Sequence, residues 1–284
     1  MKISKIKLTK EDLFSLPANE RVFLVYAGHA LNELNMLCRM IVFAMPIRRG
    51  EAERQFMVIQ SLMLMRILAG KLHEMWVLFG KVYYKSKLSL TIKDQLSEEG
   101  TKSLKELNEY FSRELSAVTE IRHLHAFHYD VSQVDAGLAN LQPKMSLDIY
   151  FDKNSANTIY GFADNIINSS VMASIDPESS KKAMETIMAD TDQVARLFQS
   201  VLEAVMSVIV RQRLDDSFSK ANVIEEDALS VPWSGVAFPT FVESPSPWSV
   251  TLFNGVVLTW GGQRVASPDY LRSLLSEESK EPLN

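Results

Sequence analysis

Cysteine is almost absent from this 284-residue chain, since Cys38 is its single example. One cysteine excludes an intramolecular disulfide framework and any zinc or iron–sulfur site built from several cysteines. A phosphate-binding loop is missing too, because Gly261-Gly262 lacks the further glycines and the Lys-Ser/Thr pair of such loops. With 46% hydrophobic and 23% charged residues, the composition is typical of a globular protein and excludes a disordered or fibrous class.

Long uninterrupted apolar runs are also missing. The segment Met1–Phe14 carries basic residues with no apolar run behind them, which argues against a secretory signal. The most apolar stretch, Phe56–Gly80, contains side chains that a lipid-spanning helix tolerates poorly, among them Gln60, Arg66, Lys71, His73 and Glu74. We therefore expect a soluble, cytoplasmic protein that does not enter a membrane.

The formal net charge of −5 is unevenly distributed, with 19 basic against 15 acidic residues up to Asp130 and 11 against 20 beyond it. An acidic protein is not expected to bind nucleic acid avidly and without specificity, but its first half leaves room for a local basic surface. Lysines and tyrosines alternate in one short segment, which makes four residues candidates for RNA binding: Lys81, Tyr84, Lys85 and Lys87. An ordinary solvated helix end has the same composition.

The spacing of apolar residues predicts a mainly α-helical fold. Long helices are expected over residues 17–46, 51–84 and 177–214, with shorter ones over 104–111, 115–129 and 162–172. Because apolar residues surround nearly the whole second helix, it should lie centrally in a bundle of long antiparallel helices. Alternating residues over 146–160 predict a β-hairpin inserted between helices. We assign residues 1–216 to this bundle.

Composition changes after residue 216. Six of the ten prolines and three of the four tryptophans lie beyond residue 230, so residues 217–284 are expected to form a separate C-terminal extension. Within it, Trp248–Phe253 and Val256–Trp260 flank Asn254-Gly255, a strong signal for a β-hairpin. The fold class is therefore a helical bundle with an inserted hairpin and a small β-containing appendage.

Three of the five histidines, His123, His125 and His128, fall in one six-residue window that Arg122 precedes. The string Ile-Arg-His-Leu-His-Ala-Phe-His-Tyr, at the end of a predicted bundle helix, resembles the HEPN superfamily of all-helical proteins. That superfamily includes metal-independent ribonucleases, toxins and antiphage effectors, and its signature is an Arg, a polar residue that is commonly Asn, a short spacer and a His. The resemblance extends over Pro17–Leu214.

The resemblance implies an endoribonuclease or toxin-type effector that needs no cofactor, with Arg122 and His128 as its catalytic residues. His123 occupies the position usually held by Asn and departs from the signature, although an imidazole can also donate a hydrogen bond. His125 and Tyr129 would orient groups or contact phosphate. Imidazole exchanges protons near neutral pH, and guanidinium holds phosphate oxygens, so the residue types suit metal-free RNA cleavage. The implied partners are RNA, with tRNA one candidate, and an antitoxin or other regulatory protein.

Helix geometry adds a constraint on Arg122 and His128. Six residues of α-helix advance about 600° around the axis and roughly 9 Å along it, which leaves the two side chains about 120° apart. An unbroken helix therefore presents them poorly to one phosphate, unless the helix ends near Ala126 or two copies of the motif converge. HEPN proteins combine the motifs of two subunits, which implies a two-fold homodimer.

Other interpretations stay open. Histidines in the last turn of a helix are favourable without any function, and Arg122 could pair with Glu114, Asp130 or another helix. Because HEPN domains also serve as inactive modules, the alternative function is a catalytically inactive helical module that binds a partner protein or RNA.

Metal binding is the weakest alternative. Glu120 and His123 have the spacing of one half of a di-iron site, but neither His29 nor His73 follows a glutamate by three residues to supply the other half. A zinc site from His123, His125 and His128 is disfavoured on a helix, where residues two apart point in different directions. His29 and His73 are expected to be ordinary core or surface histidines whose hydrogen bonds are satisfied.

Overall fold

Helices dominate the described part of the computed structural model. The structure describes residues 1–45, 50–126, 131–141, 143–145, 147–152, 157–214, 223–228, 230, 236–237, 248–251 and 257–260. Its elements are β1 (Lys2–Ile6), α1 (Lys10–Ser15), α2 (Ala18–Ala44), α3 (Glu51–Phe79), α4 (Ser89–Ile92), α5 (Glu98–Phe111), α6 (Ala117–Ile121), α7 (Gln133–Ala139), α8 (Gly161–Ile175), α9 (Ser180–Arg213), β2 (Val223–Asp227), β3 (Trp248–Thr251) and β4 (Val257–Trp260).

The long helices α2, α3 and α9 form the body of the fold. Helix α2 starts directly after Pro17, whose fixed φ suits a helix start, and helix α3 continues without a break into a π-helical segment, Gly80–Lys85. Helix α3 contacts α2, α6, α8 and α9. The main core lies between these helices and includes Phe23, Phe79 and Phe198, each fully buried.

The hairpin predicted over residues 146–160 is reduced to one antiparallel bridge in the described residues. Tyr150 and Ile159 exchange two backbone hydrogen bonds of 2.9 Å, but no strand extends from this pair through the described part of the segment. The alternating apolar residues Leu147 and Phe151 are 48% and 53% exposed. A two-stranded hairpin needs a buried apolar face to be stable, and this one buries too little.

Two small antiparallel sheets lie outside the helices. Strand β1, which the sequence pattern did not predict, pairs with β2 so that Lys2 faces Asp227 and Ile6 faces Val223. Strands β3 and β4 form the pair expected in the C-terminal extension. Thr251 faces Val257, a register one residue away from that of a two-residue turn at Asn254-Gly255, and this turn itself lies outside the described residues.

Two helical stretches of the described chain, residues 51–85 and 180–213, are long and apolar enough to cross a membrane by length and composition. Core helices of globular proteins have the same property, and α3 and α9 both supply buried residues to the core.

Candidate functional site

A partly buried hydrogen-bond network fixes the start of α6, the helix that leads to Arg122. The Tyr110 hydroxyl on α5 donates to Asp190 Oδ2 on α9 at 2.8 Å. The first backbone N–H groups of α6 bind this pair: Ala117 donates to Asp190 Oδ2 and Val118 donates to the Tyr110 oxygen, both at 3.4 Å. Burial and the hydrogen bond to Asp190 raise the pKa of Tyr110, so it remains a neutral donor. Helix α6 is thereby fixed to α5 and α9.

The predicted motif begins where α6 changes its helical form. After Ile121, which is fully buried, the backbone becomes π-helical over Arg122–Ala126, and this segment carries His123 and His125. Single π-helical turns within α-helices are frequent at functional sites, because they redirect side chains relative to the regular helix. His128 and Tyr129 lie outside the described residues, so their roles stay predictions.

Arg122 forms an ion pair with another helix, one of the alternatives that its sequence left open. Its Nε donates to Oε1 of Glu74 on α3 at 3.0 Å, with side-chain exposures of 30% for Arg122 and 46% for Glu74. This bond uses one of the five N–H donors of the guanidinium. The side chain is therefore neither buried among apolar residues nor fully free in solvent.

His123 and His73 lie side by side next to this ion pair. Their ring centroids are 5.4 Å apart at an interplanar angle of 63°; His123 is exposed and His73 is partly buried. His73 Nδ1 is buried and has no hydrogen-bond partner in the described part of the chain. The expectation that His73 is an ordinary histidine with satisfied hydrogen bonds was therefore wrong. It faces the motif across the interface between α3 and α6.

The surroundings of His73 favour its neutral form. Partial burial lowers the pKa of His73, electrostatic interaction with Arg122 and with His123 lowers it further, and Glu74 acts in the opposite direction. An imidazole with a lowered pKa is uncharged at neutral pH and can accept a proton. The arrangement thus places a proton acceptor beside a permanent positive charge.

Aromatic rings of α3 and α5 pack next to His73. Phe111 on α5 stacks on Trp76 with centroids 4.8 Å apart and an interplanar angle of 5°, and its ring lies in a T-shaped contact with that of His73, with centroids 6.2 Å apart. Trp76 also stacks on Phe79, at 6.2 Å and 18°. The two contacts of Phe111 join α5 to α3 next to His73.

The lysine and tyrosine candidates lie farther along the same continuous helix as Glu74. Lys81, Tyr84 and Lys85 are exposed in the π-helical segment that extends α3, and the Tyr84 hydroxyl donates to Asn108 Oδ1 at 2.9 Å. Lys81 lies seven residues beyond Glu74, a rise of roughly 10 Å. Lys87 follows the segment and, among described non-glycine residues, is alone in having a positive φ, of 63°.

Sequence reasoning missed Glu74 and His73 because both are far from the motif along the chain. A signal for them was present, since they are adjacent ionisable residues in the most apolar helix of the sequence. Burying such residues is costly unless they have a partner or a function. That signal marks the pair as unusual, but it does not identify Arg122 and His123 as their neighbours.

No group of three or more His, Cys, Asp or Glu side chains in the described ranges is arranged to hold a metal ion. The site described above consists instead of one guanidinium, two imidazoles and one carboxylate. Comparison with known proteins adds no assignment: no family model, no curated protein and no solved structure matches this chain.

Proposed function

We propose that this chain is a metal-independent endoribonuclease or toxin-type effector of the HEPN kind, with Arg122 and His128 as its catalytic residues. One observation supports this more than any other. A partly exposed guanidinium, Arg122, lies beside the imidazole of His123 and the neutral imidazole of His73. Phosphate binding and proton transfer, the two requirements of metal-free RNA cleavage, thus have suitable groups within one small surface.

The reaction is an internal transfer of the phosphodiester. The ribose 2′-oxygen attacks phosphorus as its proton passes to a basic imidazole, and the bond from phosphorus to the 5′-oxygen breaks as that oxygen receives a proton. The products are a 2′,3′-cyclic phosphate and a 5′-hydroxyl. Arg122 holds the non-bridging oxygens, whose negative charge it balances throughout. DNA lacks the 2′-hydroxyl and is not a substrate.

The remaining parts of the proposal follow from the resemblance to HEPN proteins. His123, His125 and Tyr129 orient groups or contact phosphate, and two subunits contribute their motifs to one cleft of a homodimer. The protein acts in the cytoplasm on RNA, of which tRNA is one candidate, under the control of an antitoxin or another regulatory protein. Lys81, Tyr84, Lys85 and Lys87 extend the RNA-binding surface along the helix that carries Glu74.

The test is a cleavage assay with labelled tRNA in the presence of EDTA. Wild type is expected to cut, leaving cyclic-phosphate ends, whereas Arg122→Ala and His128→Ala lose at least about 100-fold in rate, the usual scale of losing one acid–base or charge-stabilising group. Arg122→Lys distinguishes bidentate phosphate binding from charge alone, since a lysine keeps the charge but lacks the fork. Growth arrest on expression is the matching readout in cells.

Intact RNA with all proteins, each correctly folded by circular dichroism and each tried with candidate partners, would exclude the nuclease. The ion pair between Arg122 and Glu74 would then have a structural role, and the alternative of an inactive helical module that binds a partner protein or RNA would replace the enzyme. Sedimentation or light scattering measures the dimer separately, so a monomeric protein would contradict the shared cleft without reference to activity.

A further inference from the structure

We propose that Glu74 is an internal anion that occupies Arg122 in the resting site and is displaced by a phosphate group of the ligand. This inference rests on the proposed function, because it concerns how the same site is regulated. The Glu74 carboxylate takes the Nε donor of Arg122, so a phosphate group that uses this donor must displace Glu74.

The chemistry of the pair supports exchange. Carboxylate and phosphate are the two anions whose oxygen atoms match the donors of a guanidinium, and both are bound through the same N–H groups. Glu74 Oε1 takes the Nε donor of Arg122 at 3.0 Å, so the carboxylate lies where a phosphate oxygen would make the same bond. Both anions cannot occupy that donor together.

Because the Glu74–Arg122 pair is partly exposed, replacing Glu74 by a phosphate group costs little free energy. Glu74 is 46% and Arg122 30% exposed, and an ion pair at the surface is only weakly stabilising because water solvates both charges after separation. A buried pair would be costly to open, since each charge would lose its partner without gaining water. The Glu74–Arg122 pair can therefore be opened by a ligand that makes several contacts with the site.

The residues around the Glu74–Arg122 pair are suited to bind a phosphate group that displaces Glu74. His123 is exposed next to the pair, where its imidazole can donate to an incoming phosphate oxygen. Another basic residue of α3 has its own acidic partner, since Lys71 Nζ binds Glu33 Oε1 at 2.6 Å. Glu74 is thus the carboxylate that the fold has placed against the motif arginine.

The experiment measures binding of a fluorescein-labelled 2′-O-methyl hexanucleotide, an RNA analogue that cannot be cleaved, by fluorescence anisotropy. Glu74→Gln is expected to tighten binding about threefold to tenfold, because it removes a competing ion pair and a like charge near the bound phosphate. Glu120→Gln is the matched control, since it removes a nearby carboxylate that forms no ion pair with Arg122 in the described part of the chain, and it should change binding less than about twofold. Inorganic phosphate should displace the labelled hexanucleotide from Glu74→Gln at a lower concentration than from wild type.

A double-mutant cycle with Arg122→Ala gives the decisive outcome. If Glu74 acts on the ligand through Arg122, the Glu74→Gln effect disappears in the Arg122→Ala background. Equal tightening by Glu120→Gln, an unchanged affinity in Glu74→Gln, or a weakened one would each overturn the inference. Absence of binding by every variant would overturn it too, and thermal melting excludes misfolding as the reason. Because the probe is not cleaved, failure of the nuclease assay and failure of the displacement are separate results.

Discussion

The ring of His73 contacts those of Phe111 and His123, and the Arg122 guanidinium is close enough to act on it electrostatically. Each of these neighbours makes a positive imidazolium less favourable, either by removing water or by adding a like charge. Glu74 opposes them only in part. A group that is more easily protonated in the unfolded chain than in the folded one makes stability depend on pH.

We expect the free energy of unfolding to fall as the pH is lowered through about 6.5, the ordinary pKa of histidine. In this range the unfolded chain binds a proton at residue 73, whereas the folded chain, with its lowered pKa, does not, so acid favours unfolding. Above about pH 6.5 residue 73 is neutral in both the folded and the unfolded chain, and this acid-induced loss of stability is absent. His73→Gln should flatten the dependence, as measured by urea unfolding of both proteins between about pH 5 and 8. Parallel curves for the two proteins would show that residue 73 does not titrate differently on folding.

The sequence identified part of the site at this scale. Arg122 and His123 were singled out because their types and order carry chemical meaning within a short string. Glu74 and His73 were not assigned to the site, because their contact with the motif depends on how α3 packs against α6 and on the change to π-helix after Ile121. A helical period read from the sequence assumes 100° per residue, and it contains no information on such a change.

Helices were predicted well because a stripe of buried apolar residues has a period that the sequence displays directly. The helices expected at 17–46, 51–84 and 177–214 correspond to α2, to α3 with its π-helical extension, and to α9. Strand β1 was missed because four of its five residues are exposed, so no alternating apolar face marks it. Helix α7 is short and was also missed. An element that buries few apolar side chains shows little apolar periodicity in the sequence, so it is hard to predict.

Close packing of α5 on α9 leads to a prediction at Gly100. A Cβ atom built on Gly100 would lie 2.5 Å from Cβ of Ala204 on α9, a separation that requires the helices to move apart. Gly100→Ala is therefore expected to destabilise the protein by about 1–3 kcal/mol, the usual cost of overpacking. Thermal melting followed by circular dichroism at 222 nm measures it, as a decrease of several degrees in Tm.

Gly28 supplies the matched control, because it lies inside α2 and a Cβ built there meets no described atom within 4 Å. Gly28→Ala should stabilise the protein by about 0.4–1 kcal/mol, since alanine restricts the unfolded chain and favours the helix. The same glycine-to-alanine substitution is thus expected to lower the free energy of unfolding at residue 100 and to raise it at residue 28. A neutral or stabilising Gly100→Ala would mean that α5 can move away from α9 without loss of packing.

At the scale of the whole molecule, the fold joins segments that are far apart in the sequence. Strand β1 pairs with β2, more than 200 residues later, and Lys2 and Lys5 bind Glu225 and Glu226 across this pair. Neither the ladder nor these ion pairs is buried, since β2 is exposed at four of its five residues. The sheet therefore joins the two ends of the helical bundle's sequence while adding little to its core.

Deleting residues 2–6 should free β2 without unfolding the helices. A strand that loses its partner loses the backbone hydrogen bonds that protect its amides, and a lone exposed strand is not stable in water. Hydrogen–deuterium exchange is expected to show rapid exchange over residues 223–227, with α2 and α9 as protected as in the full chain. The control Lys2→Ala/Lys5→Ala removes both ion pairs and keeps the ladder, so it should retain most of the protection, because exposed ion pairs contribute little. Loss of protection in α2 or α9 after the deletion would show instead that the sheet is an integral part of the bundle.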